Sequence, residues 1–251
     1  MPVWQEWKGP SGALAIHEPT SGLAGPTKGV IVVSHGIPVD VGQPTSIPSG
    51  LVSLSDRLAS DSGWRVVACC LRGVGESEGN FSLAGWLDDL TTVVERASSN
   101  APVNSTILVG IGTGGALSLC IAAGDQSVRA VACLAAPASF EDFASNPAAV
   151  AAYARGVGVI KDPKEPTNLA EWARAFTEIE PLKCAQAIGN RSVLVLHGID
   201  DDVVYVEESR LIAQAVGESA ELRILAGAGN RLNSDPRAIA LLLGWLERQR
   251  A

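Results

Sequence analysis

Runs of β-branched and aliphatic residues alternate with helix-length segments along most of the chain. The pattern opens on a hairpin, Val3 to Trp7 and Ala13 to His17, joined by Gly9-Pro10-Ser11-Gly12. A fully apolar strand follows over Gly29 to Ser34, then a helix over Leu51 to Ser62 and a strand over Trp64 to Leu71. Apolar residues at Leu83, Trp86, Leu87, Leu90, Val93 and Val94 recur at the spacing of one helical face and predict a helix over Leu83 to Ala97. Next come a strand over Thr106 to Val109, a helix over Gly114 to Ala123 and a strand over Val128 to Leu134. The alternation then stops from Phe140 to about residue 185, where prolines separate helical pieces around Ala148 to Arg155 and Leu169 to Ile179. It resumes with a strand over Ser192 to Leu196, a helix over Glu207 to Val216, a strand over Glu221 to Leu225 and a terminal helix over Pro236 to Arg250. Repeated strand-then-helix units imply an α/β fold with a mostly parallel central sheet and helices on both faces. The irregular stretch reads as a small helical lid of about 140–185 inserted into a single domain spanning 1–251.

Composition narrows the classes of function. At 251 residues with 47% hydrophobic and 18% charged residues, the chain is globular and can bury one sizeable core. A net charge of −8 argues against nucleic acid or an anionic membrane as partner, because no basic face offsets phosphate repulsion. The most apolar window, Ile107 to Ala123, is interrupted by glycines and reads as strand, turn and buried helix, not a membrane span. Four of the five cysteines, Cys69, Cys70, Cys120 and Cys133, lie in apolar runs and Cys184 does not; buried reduced thiols are expected, with no disulfide and no metal role. No basic segment followed by an apolar stretch opens Met1 to Trp7, so a cytoplasmic location is the expectation.

Four motifs carry the chemistry. Ser34-His35-Gly36-Ile37-Pro38 closes the first buried strand, and Arg72-Gly73-Val74-Gly75-Glu76-Ser77 follows the second. Gly110-Ile111-Gly112-Thr113-Gly114-Gly115 has every glycine of a strand-to-helix GxSxG elbow but carries Gly112 where the serine stands. His197-Gly198-Ile199-Asp200-Asp201-Asp202-Val203-Val204 lies near the end. In this order the four resemble the HGxP, RGxGxS, elbow and HGxxDxxV segments of the α/β-hydrolase superfamily, and of its bacterial small-lid, esterase or acyl-peptidase-like members in particular. The resemblance covers most of the chain and implies the α/β-hydrolase fold. It also implies that Gly112 holds the nucleophile position, Asp201 the acid position, and Asn230, in Gly227-Ala228-Gly229-Asn230-Arg231, the histidine position. Ile37 and Thr113 are then expected to supply the two backbone N–H groups of an oxyanion hole, with His35 and Gly36 in the same pocket wall.

In that family a serine oxygen attacks a carbonyl, a histidine takes its proton and an acid orients the histidine. Loss of the nucleophile alone costs on the order of a millionfold in rate, roughly 8 kcal/mol of transition-state stabilisation. The elbow residue is held at positive φ, so glycine relieves strain there. Asn230 offers no base near neutral pH, but its amide is expected to hydrogen-bond Asp201 and preserve the loop.

Other residues are weaker candidates. Thr113 begins a helix and points away from the acyl site. His17 sits in the hairpin, and His35 matches a histidine that orders the oxyanion loop. Asp200, Asp201 and Asp202 are consecutive and cannot all face one cation. Cys69 and Cys70 lack an activating histidine, Glu76 is a solvated side chain, and Trp86 with Asp88 and Asp89 reads as a core tryptophan with exposed acids. The expected function is a pseudoenzyme, without cofactor or metal, that holds a small apolar or acyl-type ligand between Gly112, Ile37, Asn230 and lid residues Phe140 to Ile179. The alternatives are a hydrolase-family enzyme working without a serine nucleophile, or a scaffold using an exposed apolar patch on the lid or on the terminal helix with Leu241, Leu242, Leu243 and Trp245.

Overall fold

The computed structural model describes residues 3–20, 28–39, 48 and 50–249. Eight strands form one sheet: β1 (Trp4–Gly9), β2 (Gly12–His17), β3 (Val30–Ser34), β4 (Arg65–Cys69), β5 (Thr106–Ile111), β6 (Val128–Leu134), β7 (Ser192–Gly198) and β8 (Ala220–Leu225). Their order is β1-β2-β4-β3-β5-β6-β7-β8; the pairs from β4 to β8 are parallel, and β1 and β2 run antiparallel at one edge. The central strands are apolar on both faces because helices cover both, which explains why β3 is buried along its whole length without alternation.

Nine helices accompany the described strands: α1 (Leu51–Ser62), α2 (Leu83–Ser98), α3 (Thr113–Gly124), α4 (Glu141–Ser145), α5 (Pro147–Gly156), α6 (Leu169–Glu178), α7 (Pro181–Ala187), α8 (Val206–Val216) and α9 (Pro236–Arg248). They pack in two groups, α1 on α9 and α2 on α3, with α7 bridging α3 to α8. Two of the sheet helices begin on a capping side chain. The Ser82 hydroxyl accepts the Gly85 N–H to cap α2, and Asp235 caps α9 ahead of Pro236. Helix α3 is buried all round, as expected of a helix with no polar face.

The elements follow the apolar pattern closely. The terminal helix is described to Arg248, and Arg250 lies outside the described residues. The stretch between β6 and β7 adds no strand to the described sheet and holds four helices, of which the pattern indicated two. Short α4 and α7 show too few turns for a recognisable period.

Two expectations need correction. Cys120 on α3 and Cys184 on α7 form a disulfide, with Cα atoms 4.8 Å apart. The two residues are 64 positions apart, and only the packing of α7 on α3 brings them together. The thiols therefore no longer argue for a reducing compartment. Cys69, Cys70 and Cys133 are free and buried, as expected. No helix among the described residues is long and apolar enough to cross a membrane.

Asp89 is not solvated; it is 1% exposed and receives a bidentate pair from Arg72, whose Nη2 and Nε lie 2.7 and 2.9 Å from its two oxygens. The Arg72 backbone N–H donates to the same carboxylate at 2.9 Å, and Trp86 Nε1 donates to the Arg72 carbonyl at 3.0 Å. The loop after β4 is thus clamped to α2. Removing one partner of such a pair leaves a buried charge uncompensated, at about 3–5 kcal/mol. Asp89→Ala is therefore expected to lower stability by that amount in denaturant unfolding, whereas Arg72→Met with Asp89→Leu restores most of it; equal losses in both variants contradict the clamp.

Candidate functional site

The chain leaves β3 toward β4 on one side and returns to β5 on the other, so the carboxyl ends of β3 and β5 diverge around a crevice. Open α/β sheets bind ligands at such a switch point. Here His35-Gly36-Ile37 leaves β3 and Gly112 leaves β5. A cavity of about 590 Å³ opens over them, a size typical of small-molecule sites.

Gly112 sits between β5 and α3 at φ 53°, ψ −127°, the strained conformation of an elbow. Its N–H donates to Leu134 O at 2.8 Å, and its carbonyl accepts the Gly115 N–H at 2.9 Å. The neighbouring glycines are set by close approach. A Cβ at Gly110 overlaps the Gly114 carbonyl, and one at Gly114 falls 2.5 Å from the His35 carbonyl oxygen. A Cβ at Gly112 meets nothing nearer than Gly36 Cα at 3.5 Å. Packing therefore dictates glycine at 110 and 114, while at 112 only the backbone angle favours it.

Ile37, Thr113, His35, Gly36, Gly112 and Asn230 all line the cavity, so six of the seven site residues expected from sequence are brought together. Among the described residues, the amides of Ile37 and Thr113 donate to no protein acceptor. His35 is committed: its Nε2 accepts the Leu71 N–H at 2.9 Å and its Nδ1 donates to Gly36 O at 2.8 Å. Burial lowers its pKa to about 4, so it is a neutral prop for the β3 loop. His17 is bound to Asp56 at 2.7 Å in the hairpin region, outside the cavity wall.

Asp201, the seventh, lies behind the wall. Its Oδ1 accepts the N–H groups of Val203 and Val204 at 2.9 and 3.0 Å, and both of those residues line the cavity. Its Oδ2 is buried without a hydrogen bond. The expected amide contact from Asn230 is absent. The two loops are instead joined through the backbone: Asp200 N–H donates to Ala228 O at 2.9 Å, and Gly198 has no Cβ to obstruct that carbonyl. With main-chain contacts holding the loop, Asn230 is left half-buried at the cavity wall. Burial tends to raise the Asp201 pKa, but His197 and the two amides outweigh it and hold it below the ordinary carboxylate value, so it is ionised at neutral pH.

A second grouping resembles a triad without being placed to act. The Ser209 hydroxyl contacts His197 Nδ1, and His197 Nε2 lies 3.4 Å from Asp201 Oδ2. Ser209 and His197 are fully buried, neither lines the cavity, and the Nε2 proton goes to Val204 O at 2.8 Å. The free thiols are no better suited: burial pushes Cys70 up to about 12 and Cys69 and Cys133 higher still. No group of three or more His, Cys, Asp or Glu residues suited to a metal is found among the described residues.

The cavity wall also holds Glu141, Asp142, Phe143, Val150 and Tyr153 from α4 and α5, within the expected lid lining, and Tyr205 and Glu208 at the start of α8, which sequence motifs missed. Tyr153 donates to Pro38 O at 2.9 Å, tying α5 to the β3 loop. The expected lining by residues up to Ile179 holds only as far as Tyr153. Trp172 and Phe176 of α6 instead stack edge-on against Phe81 and Phe143 and fill the space beneath. On α9, Leu242 and Trp245 are buried and Leu241 and Leu243 half-buried, so that helix offers no apolar patch. Large exposed apolar side chains gather at the cavity: Val39, Tyr153, Val203 and Tyr205.

A family model described as the alpha/beta hydrolase family matches residues 30–240. No curated protein sequence matches. Among solved structures, the chain resembles Est1E from Butyrivibrio proteoclasticus with ferulic acid bound, at 18% identity and a TM-score of 0.71 over 97% of this chain and 96% of that one. An esterase from Thermogutta terrifontis superposes at 17% identity and a TM-score of 0.69, over 99% and 100% of the two chains. A meta-cleavage product hydrolase from Pseudomonas fluorescens IP01 does so at 14% identity and 0.67, over 97% of each.

The elbow geometry yields a ranking. Gly112→Ala is expected to cost about 1–3 kcal/mol of backbone strain. Gly110→Ala and Gly114→Ala cost more than about 3 kcal/mol, because backbone cannot move aside. Chemical denaturation of the three variants checks the order, and Gly112→Ala proving the most damaging contradicts it.

Proposed function

Because the chain belongs to the alpha/beta hydrolase family, we propose that it is a non-hydrolysing member that holds a small apolar or acyl-type ligand in the cavity at the ends of β3 and β5. The observation that carries this reading is Gly112: the elbow stands in its strained form with room for a side chain, and no attacking atom is there. The triad-equivalent positions are then Gly112, Asp201 and Asn230. Asp201 supports the reading from the other side, since its Oδ2 accepts no hydrogen bond and is approached only by His197 Nε2 at 3.4 Å, whose proton goes to Val204 O. The helices over the cavity act as the lid.

What remains is binding chemistry. The amides of Ile37 and Thr113 are positioned as donors to a carbonyl oxygen, at the amino end of α3 where the helix dipole favours negative charge. Apolar residues from the lid, with Val203 and Val204 from the loop after β7, exclude water from the rest. A carbonyl held this way is polarised but meets no nucleophile and no base. The alternatives of relocated chemistry or a scaffold find no supporting hydroxyl–imidazole pair at the cavity and no apolar patch on α9 among the described residues.

Two outcomes test the reading. The purified protein is expected to leave short activated esters uncleaved above background, while Gly112→Ser with Asn230→His cleaves them and labels with a covalent serine probe. Ordinary enzyme rates in the unaltered chain overturn the proposal. Asn230→His alone gives Asp201 Oδ2 a donor, and relief of a buried unsatisfied oxygen is worth about 1–3 kcal/mol. That variant is expected to melt higher than the parent; a lower melting temperature shows that Oδ2 does not await an imidazole.

A further inference from the structure

Resting on that reading, we propose that the ligand carries an organic cation, an alkyl- or quaternary-ammonium group, seated among the aromatic rings and carboxylates of the cavity. The chain has six tryptophans, four phenylalanines and two tyrosines, and four of these twelve rings line this one cavity: both tyrosines, Tyr153 and Tyr205, with Phe140 and Phe143. The rings come from three separate elements, the end of β6's loop, α4–α5 and the start of α8. In a chain that is 5% aromatic, four rings on one cavity wall are a local enrichment.

Charge points the same way. Glu141, Asp142 and Glu208 line the cavity against one cationic side chain, Arg231, and no lysine. His35 adds no charge, since both its ring nitrogens are committed to the backbone. Acids are favoured in the first turn of a helix, and Glu208 also accepts the Ala138 N–H at 2.7 Å. That accounts for each residue singly, but not for two helix starts delivering carboxylates into an aromatic-walled cavity.

Asp201 is an independent contributor. Its carboxylate is buried immediately behind Val203 and Val204, and its Oδ2 accepts no hydrogen bond, with only His197 Nε2 near it at 3.4 Å. The Val203 and Val204 amides and the nearby His197 hold it ionised at neutral pH. A cavity with low-dielectric walls focuses such a field inward. Ring faces present the negative side of their quadrupole, so aromatic and carboxylate contributions add for a cation and oppose an anion.

The test is a titration of the full chain with three matched probes: benzyltrimethylammonium, its neutral carbon isostere neopentylbenzene, and the anion phenylacetate. Binding is followed by the NMR signals of the Ile37 and Thr113 amides, which localise it to the cavity. The cation is expected to bind at least about tenfold more tightly than the isostere, and phenylacetate more weakly than the cation. The preference shrinks at high salt and in Glu141→Gln with Asp142→Asn, two exposed positions. In Tyr205→Leu it falls again, with ring and charge contributions separated. Equal affinity for cation and isostere, or tighter binding of phenylacetate, overturns the cation inference and leaves the binding pocket standing. Failure of all three probes to move the Ile37 and Thr113 signals removes the pocket reading itself.

Discussion

The arrangement depends on one close approach, the passage of the β5–α3 turn against the loop that leaves β3. Gly114 lies so near the His35 carbonyl that no Cβ fits, and Gly110 is pressed equally hard by the turn's own backbone. This contact brings the Ile37 and Thr113 amides to one cavity floor. It also explains why side chains there are restricted: His35 is spent on backbone hydrogen bonds that hold the loop in place. The same contact leaves position 112 open, so the geometry of an elbow persists independently of what its apex residue can do.

Two buried carboxylates show how charge is handled away from water. Asp89 is fully matched by the Arg72 fork and a backbone amide, and the match fastens the loop after β4 to α2. Asp201 is half matched. Two amides satisfy one oxygen, the other has none, and the neighbouring His197 directs its proton to Val204 O. An unpartnered buried oxygen costs about 1–3 kcal/mol. The fold sustains it because the acid loop is anchored through the backbone, by the Asp200–Ala228 hydrogen bond and the crossing permitted at Gly198. Backbone architecture and side-chain chemistry are thus separable at this site.

The insertion between β6 and β7 divides its labour. Helix α6 turns Trp172 and Phe176 inward as packing, while α4 and α5 present Phe143, Val150 and Tyr153 to the cavity. The Tyr153 hydroxyl holds α5 to Pro38, so the cavity roof and the β3 loop are joined by a direct hydrogen bond. The disulfide between Cys120 and Cys184 joins the end of the insertion to the elbow helix.

Much of the fold was legible from residue pattern alone, because apolar period and turn residues act locally: α1 and β6 run over Leu51–Ser62 and Val128–Leu134 as the pattern indicated. The resemblance to the α/β-hydrolase motifs implied Ile37, Gly112, Thr113 and Asn230 as site positions, and all four line one cavity. Contacts between distant segments left no mark in the sequence. The Cys120–Cys184 pair, the burial of Asp89 by Arg72, the missing Asn230–Asp201 bond and the gathering of Tyr153 and Tyr205 at one cavity were decided by how helices pack across the sheet. Local propensity acts over a few residues, whereas partners and exposure are set by segments tens of positions apart, and only the assembled chain brings those together.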